Sequence, residues 1–455
     1  MKRQRVAVVG AGIAGIVAAR TLVDKGHEAV VFEKEPDVGG KCCSHGYQGQ
    51  VYELGACSVS PEFDTVLHFA RRTAALVRRR HPFWVLREDG SRVSFRSEYW
   101  PLCRTPDLLQ QAARYLYHAA RFKQRYDRPT TYADLPEEYR KPFLQFCVEN
   151  GMPDVATWME LPVVSFGYGS LDHIKTWYVL DYVTPVNFLG LAALLILMGR
   201  SPVHQFQDGF GDLVHRIATL EPRLDVRLET PVHHVRRTGS GVVVTTSAGD
   251  EGPFDAVVLA VPLNDLKGCL DLTPDEHALV KGLRPNWYGI AACTLEGMPH
   301  DNHLLRFNAC QQRFGHVALL ERGLHGLASA LTVCYVPLIG RAELRGEAGR
   351  KAVLDHLKAD LAALRITLRE VIEYRDWEYF SHFDDADAYR QLDAMQGENR
   401  TYYVGGMCKF ELAERAAQVA RAVIDRGFEG RLPRDVFAKL KNYWHFYVKS
   451  VSPDA

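Results

Sequence analysis

The chain has 455 residues, 47% of them apolar and 24% charged, with 55 basic and 55 acidic side chains and no formal net charge. That balance excludes a disordered chain and offers no charge excess for nucleic acid. A chain this long buries roughly three quarters of its unfolded surface and divides into two or three domains.

The first predicted element is a short apolar strand, residues 5–9, running into Gly10-Ala-Gly12-Ile-Ala14-Gly15 and then a helix. This is the geometry that cradles a dinucleotide. Gly10 makes the tight turn, Gly12 lets the pyrophosphate approach the backbone, and Gly15 lets the helix pack on the strand, with the helix N-terminus facing the phosphates. Glu33, with Lys34 beside it, closes a second apolar strand at 28–32 and is placed to accept hydrogen bonds from the adenosine ribose. The basic start of the chain leads directly into this loop, so it is not expected to be a removable leader.

A second glycine pair, Gly39-Gly40-Lys41, follows at once, and Lys41 can bring positive charge to the pyrophosphate. Small residues at Gly55 and Ala56 would let a flat ring come near. NAD-binding domains rarely need this extra run, whereas a domain burying extended FAD does. Cys42 and Cys43 beside it read as small packed residues and not as a redox pair or a covalent flavin link. The ten cysteines show no C-x-x-C spacing and read as reduced thiols in a cytoplasmic protein. No pattern supports a metal site: the adjacent His233 and His234 point to opposite faces of a strand.

From about 105 to 200 the cofactor pattern gives way to helical period rich in Tyr, Phe and Trp, which predicts a helical cap over the cofactor. Its most apolar run, 186–199, is 14 residues long, short of the ~20 needed to cross a bilayer. It fits a core helix, an apolar tunnel wall or a segment dipping into a membrane surface. Residues 229–232 open a strand pair with 241–246, and Val232 is placed with the cofactor. Residues 255–262 read as a buried parallel strand. Strands at 291–295, 316–320 and 328–335 and a helix at 350–368 predict a further sheet over 272–373. A strand at 401–404 then runs into Gly405-Gly406-Met407 and a helix at 413–424, a second helix start for the flavin end. The FAD-binding domain is therefore expected to be discontinuous (1–104, 201–271 and 374–429), with an aromatic tail at 430–455. The fold class is α/β: a Rossmann-like FAD domain, a β-sheet substrate domain and the helical cap.

Together these segments resemble the flavin amine oxidase and phytoene desaturase superfamily, and the sheet over 272–373 looks like the substrate-domain sheet of that superfamily. Val38-Gly-Gly-Lys-Cys42, Tyr52-Glu-Leu-Gly-Ala56, Phe166-Gly-Tyr168-Gly, Tyr178-Val-Leu-Asp-Tyr182, Trp377-Glu-Tyr-Phe380 and Met395-Gln-Gly397 look more closely like the bacterial polyenoic fatty acid isomerases. The resemblance implies non-covalent FAD. It also implies an isomerase that moves a double bond of a polyunsaturated acyl chain by hydride abstraction to flavin N5 and return from it. No protein general base is then needed. Phe166, Tyr168 and Tyr178 would form aromatic walls around the passing cation. The family places a carboxylate-anchoring arginine shortly before a Glu-Asp-Gly turn, here 88–90, and this sequence has Phe83 in that register. A small shift brings Arg80 into place; otherwise the acyl chain is esterified or carrier-bound. The alternatives are a net oxidoreductase, such as a desaturase or amine oxidase, with Lys409 and Tyr403 as candidates for that chemistry, and a flavoprotein whose role is binding. The expected partner is an apolar small molecule, with at most peripheral membrane contact.

Overall fold

In the computed structural model, which describes residues 2–79, 84–87, 91–99, 107–191, 204–298, 304–307, 313–432 and 437–450, Arg5–Val9 is the middle strand of a parallel sheet. The sheet runs Thr401–Tyr403, Ala256–Leu259, Arg5–Val9, Glu28–Phe32, Asp225–Arg227. Its strands come from both ends and the middle of the chain, so the cofactor layer is discontinuous. Helices cover it, which is why Val6, Val8, Val30, Val257 and Leu259 read as unbroken apolar runs and are buried. Helix Ile13–Asp24 packs along Ala413–Gly427, which extends three residues past its expected end. A three-stranded antiparallel sheet, Val232–Thr238, Gly241–Thr246 and Gly249–Phe254, stands at the edge.

The second large sheet has seven strands: Thr367–Phe383, Leu283–Glu296, Thr332–Pro337, Leu319–Glu321, Leu304–Phe307, Trp84–Leu86 and Arg92–Ser94. It moves two expected boundaries. The boundary at 373/374 falls inside Thr367–Phe383, which stays hydrogen-bonded to Leu283–Glu296 from Thr367 to Phe383. Trp84–Leu86 and Arg92–Ser94, assigned to the cofactor domain from sequence, pair instead within this second sheet, through Trp84↔Leu305 and Trp84↔Ser94. The helix expected over 350–368 is Gly346–Ala363. There the Ile366 N–H returns to the Leu361 carbonyl at 2.9 Å, and Arg365 takes φ +61°, turning the chain into the next strand. No glycine or proline marks that turn in the sequence. The strands expected at 316–320 and 328–335 are Leu319–Glu321 and Thr332–Pro337, the latter after a short turn at Gly323–Ala328.

The cap includes helices Leu108–Arg125, Phe143–Glu149, Pro153–Met159, Thr176–Tyr182 and Pro185–Leu191. The rest of the apolar run, 192–199, lies outside the described residues. Buried charges tie the cap to the cofactor layer. Lys409 pairs with Asp127, Arg415 with Asp181 at 2.6 Å, and the Tyr132 hydroxyl donates to Asp181 at 3.1 Å. The tail forms Ala438–Trp444 and a wider turn, His445–Ser450. It is held by Asn442 Nδ2 donating to the Asp64 carbonyl at 3.0 Å, by His445 Nε2 at 2.8 Å from the Ala75 carbonyl, and by the buried ring of Phe446. Among the described residues no helix is long and apolar enough to cross a membrane.

Candidate functional site

At Gly10 the backbone takes φ +98°, and a Cβ would meet Val261 Cγ1 at 2.8 Å. A Cβ on Gly15 would lie 1.9 Å from the Gly10 carbonyl oxygen, so only glycine lets the helix sit this close to the strand. Gly12 differs: the nearest atom to its Cβ position is the Gly39 carbonyl oxygen at 3.8 Å, and the residue lines the cavity. Helix Ile13–Asp24 starts there with no side-chain cap and no acidic residue in its first turn. Its orphan N–H groups and positive dipole end are therefore left for an anion. The Glu33 carboxylate accepts the Ala11 N–H at 2.6 Å and the Glu35 N–H at 3.1 Å, which holds it beside the turn.

Gly39 donates its N–H to Ala11 at 2.9 Å, laying the second glycine pair on the first turn, with Gly39 at φ +127° and Gly40 at +55°. Gly55 has its Cβ position 1.9 Å from the Lys41 carbonyl oxygen. Gly10, Gly12, Ala14, Glu33, Lys34, Gly40, Lys41, Gly55, Ala56, Gly405, Gly406 and Met407 all line one cavity of about 1240 Å³. That exceeds an ordinary small-ligand pocket and leaves room for a second molecule. Gly15 packs behind the turn. Val232 does not line the cavity and opens its strand opposite Thr246, although nearby Thr230 donates its N–H to the Glu33 carbonyl at 2.7 Å. The Lys41 ammonium donates to Glu411 at 3.0 Å and to the Tyr379 carbonyl at 3.3 Å, so its charge is directed to the far wall. Burial raises the Glu411 carboxyl against the opposing pull of Lys41.

Beyond the glycine turns the wall is aromatic: Phe166, Tyr168, Tyr182, Tyr288, Trp377 and Tyr379. The Tyr168 ring lies 4.7 Å from Phe410, 5.0 Å from Tyr182 and 5.3 Å from Tyr379. Its hydroxyl donates to the Glu411 carbonyl at 3.1 Å and accepts from the Tyr379 hydroxyl at 3.0 Å. Tyr178, expected in this wall, does not reach it. Its hydroxyl donates to the Phe383 carbonyl at 2.7 Å, and its ring stands behind Phe380 at 5.0 Å. Tyr182, one helical turn on, takes the wall position.

Lys409 and Tyr403 also face away from the cavity. The Lys409 ammonium is buried against Asp127 and the Arg128 carbonyl, and the Tyr403 hydroxyl donates to Glu276. Arg80, His81, Phe83 and residues 88–90 lie outside the described residues. Of their neighbours, Arg78 donates to Gln207 at 3.1 Å and Arg87 pairs with Glu98. Sequence reasoning missed Arg375, which lines the cavity on the strand that carries Trp377 and Tyr379, and missed Gly211, whose Cβ position is 3.2 Å from the Cys42 carbonyl oxygen. The signal for Gly211 was available: Gly209-Phe-Gly211 opens a helical pattern as Gly10-Ala-Gly12 does. Cys42 lines the cavity with its thiol pushed up by burial, and Cys43 is raised for the same reason. Protonated thiols are poor nucleophiles. Among the described residues no cluster of His, Cys, Asp or Glu is placed to hold a metal ion.

The uncapped helix start, the open face of Gly12 and the Gly39–Gly40 turn together fit a dinucleotide diphosphate. The sequence profile described as flavin containing amine oxidoreductase matches residues 13–331, well over half the chain. A putative flavin-containing monoamine oxidase, AofH, of Mycobacterium tuberculosis is 43% identical over 65 residues, 14% of each chain. Carotenoid phi-ring synthase of Streptomyces griseus is 25% identical over 293 residues, 59% of this chain and 54% of that one. The chain thus spans about half or less of the length of these relatives. Among solved structures, the CLA-producing fatty acid isomerase from P. acnes superposes with a TM-score of 0.80 over 94% of this chain and 99% of its own, at 23% identity. The chain belongs to the flavin containing amine oxidoreductase family, and its cofactor is FAD.

Proposed function

With that family as the premise, we propose that the protein is an isomerase that shifts a double bond in a polyunsaturated acyl chain, with no net oxidation. The aromatic wall carries the reading. Tyr168, Tyr182, Tyr288 and Tyr379 close on one another beyond the glycine turns, and the hydroxyls of Tyr168, Tyr288 and Tyr379 are spent on one another or on backbone carbonyls. Such a wall accepts an apolar chain, keeps water out and turns π faces toward positive charge developing on that chain. Bound FAD would supply a centre able to take up a hydride and give it back. The likeness to the fatty acid isomerase supports an acyl substrate.

The position of Lys409 supports isomerisation over amine oxidation. Amine oxidases commonly use a lysine near the flavin to hold a water, and this one is sequestered in an ion pair with Asp127. The competing reading, a net oxidase, draws on the name of the curated monoamine oxidase relative. We assign the acyl carboxylate to Arg80, with Arg375 as the alternative cation because it lines the cavity beside Trp377.

The test is anaerobic incubation with a polyunsaturated fatty acid deuterated between its double bonds. Isomerisation moves the label to a new carbon of the same molecule, with conjugated-diene absorbance and no oxygen demand. Hydrogen peroxide stoichiometric with product, and turnover that stalls without oxygen, would sink the proposal.

A further inference from the structure

The tail helix presents the wrong face to water. A helix lying on a protein surface ordinarily turns its apolar stripe inward and its polar residues outward. In Ala438–Trp444 and its continuation to Ser450, the inward face is Asn442, His445 and Phe446, all buried. Opposite them Phe437, Leu440, Trp444, Tyr447 and Val448 are each between 51% and 67% exposed. Their spacing of three, four, three and one keeps them on one side. Residues 437–450 carry three lysines, Lys439, Lys441 and Lys449, and no acidic residue, in a chain with no net charge overall. Lys439 lies 3.9 Å from Asp64 and remains 70% exposed. Glu62, two residues before Asp64, accepts from the Thr184 hydroxyl.

The same region opens into the cavity. Tyr447 is half exposed and also lines it. So do Val186, Asn187 and Gly190 of helix Pro185–Leu191, on which Val186 and Leu189 are 50% and 52% exposed. An apolar rim around an opening, backed by lysines, matches an anionic lipid surface: aromatic and leucine side chains enter the acyl boundary and ammonium groups meet headgroups.

We propose that the tail helix, with Val186 and Leu189, docks the protein on an anionic bilayer, with the opening beside Tyr447 turned toward the lipid. An apolar substrate then passes between membrane and cavity without crossing water. The surface argument stands apart from the chemistry proposed above, because docking is read without turnover.

Flotation of the FAD-bound protein with vesicles of phosphatidylcholine and phosphatidylglycerol in equal parts tests it. Binding is expected, and about a hundredfold weaker on pure phosphatidylcholine or with Lys439, Lys441 and Lys449 all changed to Gln. The double variant Leu440→Ser, Trp444→Ser should lose flotation while keeping its flavin content and its activity on detergent-dispersed substrate. Absence of flotation by the unaltered protein would overturn the proposal, as would equal flotation by the double variant. So would a dimer in sedimentation that the double variant dissolves, since the patch would then join two copies of this chain.

Discussion

Two glycines three residues apart do opposite work. The Cβ position of Gly12 is clear of protein and faces the cavity, whereas that of Gly15 sits 1.9 Å from a backbone oxygen. Gly12→Val should therefore fold with an unfolding midpoint near that of the FAD-free protein, yet leave gel filtration without flavin absorbance. Gly15→Val should lose the fold itself, read as low soluble yield and a broadened unfolding transition. Equal behaviour of the two would refute the placement of the diphosphate. Glu33→Ala should also lose FAD: it removes an acceptor for the ribose worth roughly 1.5–3 kcal/mol per charge-assisted hydrogen bond, and frees the Ala11 N–H that it now holds. The same scale separates the two anchors. Whichever of Arg80→Gln and Arg375→Gln raises KM for the free acid about tenfold while sparing its methyl ester identifies the carboxylate site, and no effect of either would point to an esterified or carrier-bound chain.

At the scale of elements, a buried ion network ties the cap to the cofactor layer. Burial alone would raise the Asp127 carboxyl, but Lys409, Arg415 and Lys123 outweigh it and hold it at about 2, below the ordinary 3.8. A carboxyl depressed by folding adds stability that is complete above the unfolded value and disappears as pH falls through the folded one. The urea midpoint of the protein should therefore drop between about pH 4 and pH 2, and the Asp127→Asn variant should show a shallower drop over that range. Lys409→Met leaves buried carboxylates short of a cation and should cost about 3 kcal/mol while retaining FAD, because the ammonium does not face the cavity. Legibility also divides by element. The strand–glycine–helix units at 5–24 and 401–427 were readable because their constraints are local: a turn needs φ > 0 and a helix needs a small neighbour. The pairing of Trp84–Leu86 with Leu304–Phe307 was not readable, since short strands carry no sign of their partner. Nor was the swap of Tyr178 for Tyr182, which depends on how far a helix extends toward the cavity.

For the whole molecule, one cavity takes its walls from the first glycine turn, the second glycine pair at 39–41, Gly211, the long strand of the second sheet, the cap and the turn at 405–407. Sequence alone indicated those segments as separate motifs drawn from both ends and the middle of the chain. It could not show that they share one space, because that depends on the crossings of two sheets. The consequence is thermodynamic. A ligand held by every layer stabilises the folded state as a unit, by about 2.7 kcal/mol when free FAD stands at a hundred times its Kd. Thermal unfolding followed by flavin fluorescence and by far-UV circular dichroism should therefore coincide, and both midpoints should rise with added FAD. Flavin release several degrees below the loss of secondary structure would instead mean that the cavity opens locally, with the cap leaving first. Because the Cys42 thiol is buried and protonated, acid precipitation should send all of the flavin to the supernatant. Colour retained in the pellet would mean a covalent link, and the stabilisation would then no longer depend on free FAD concentration.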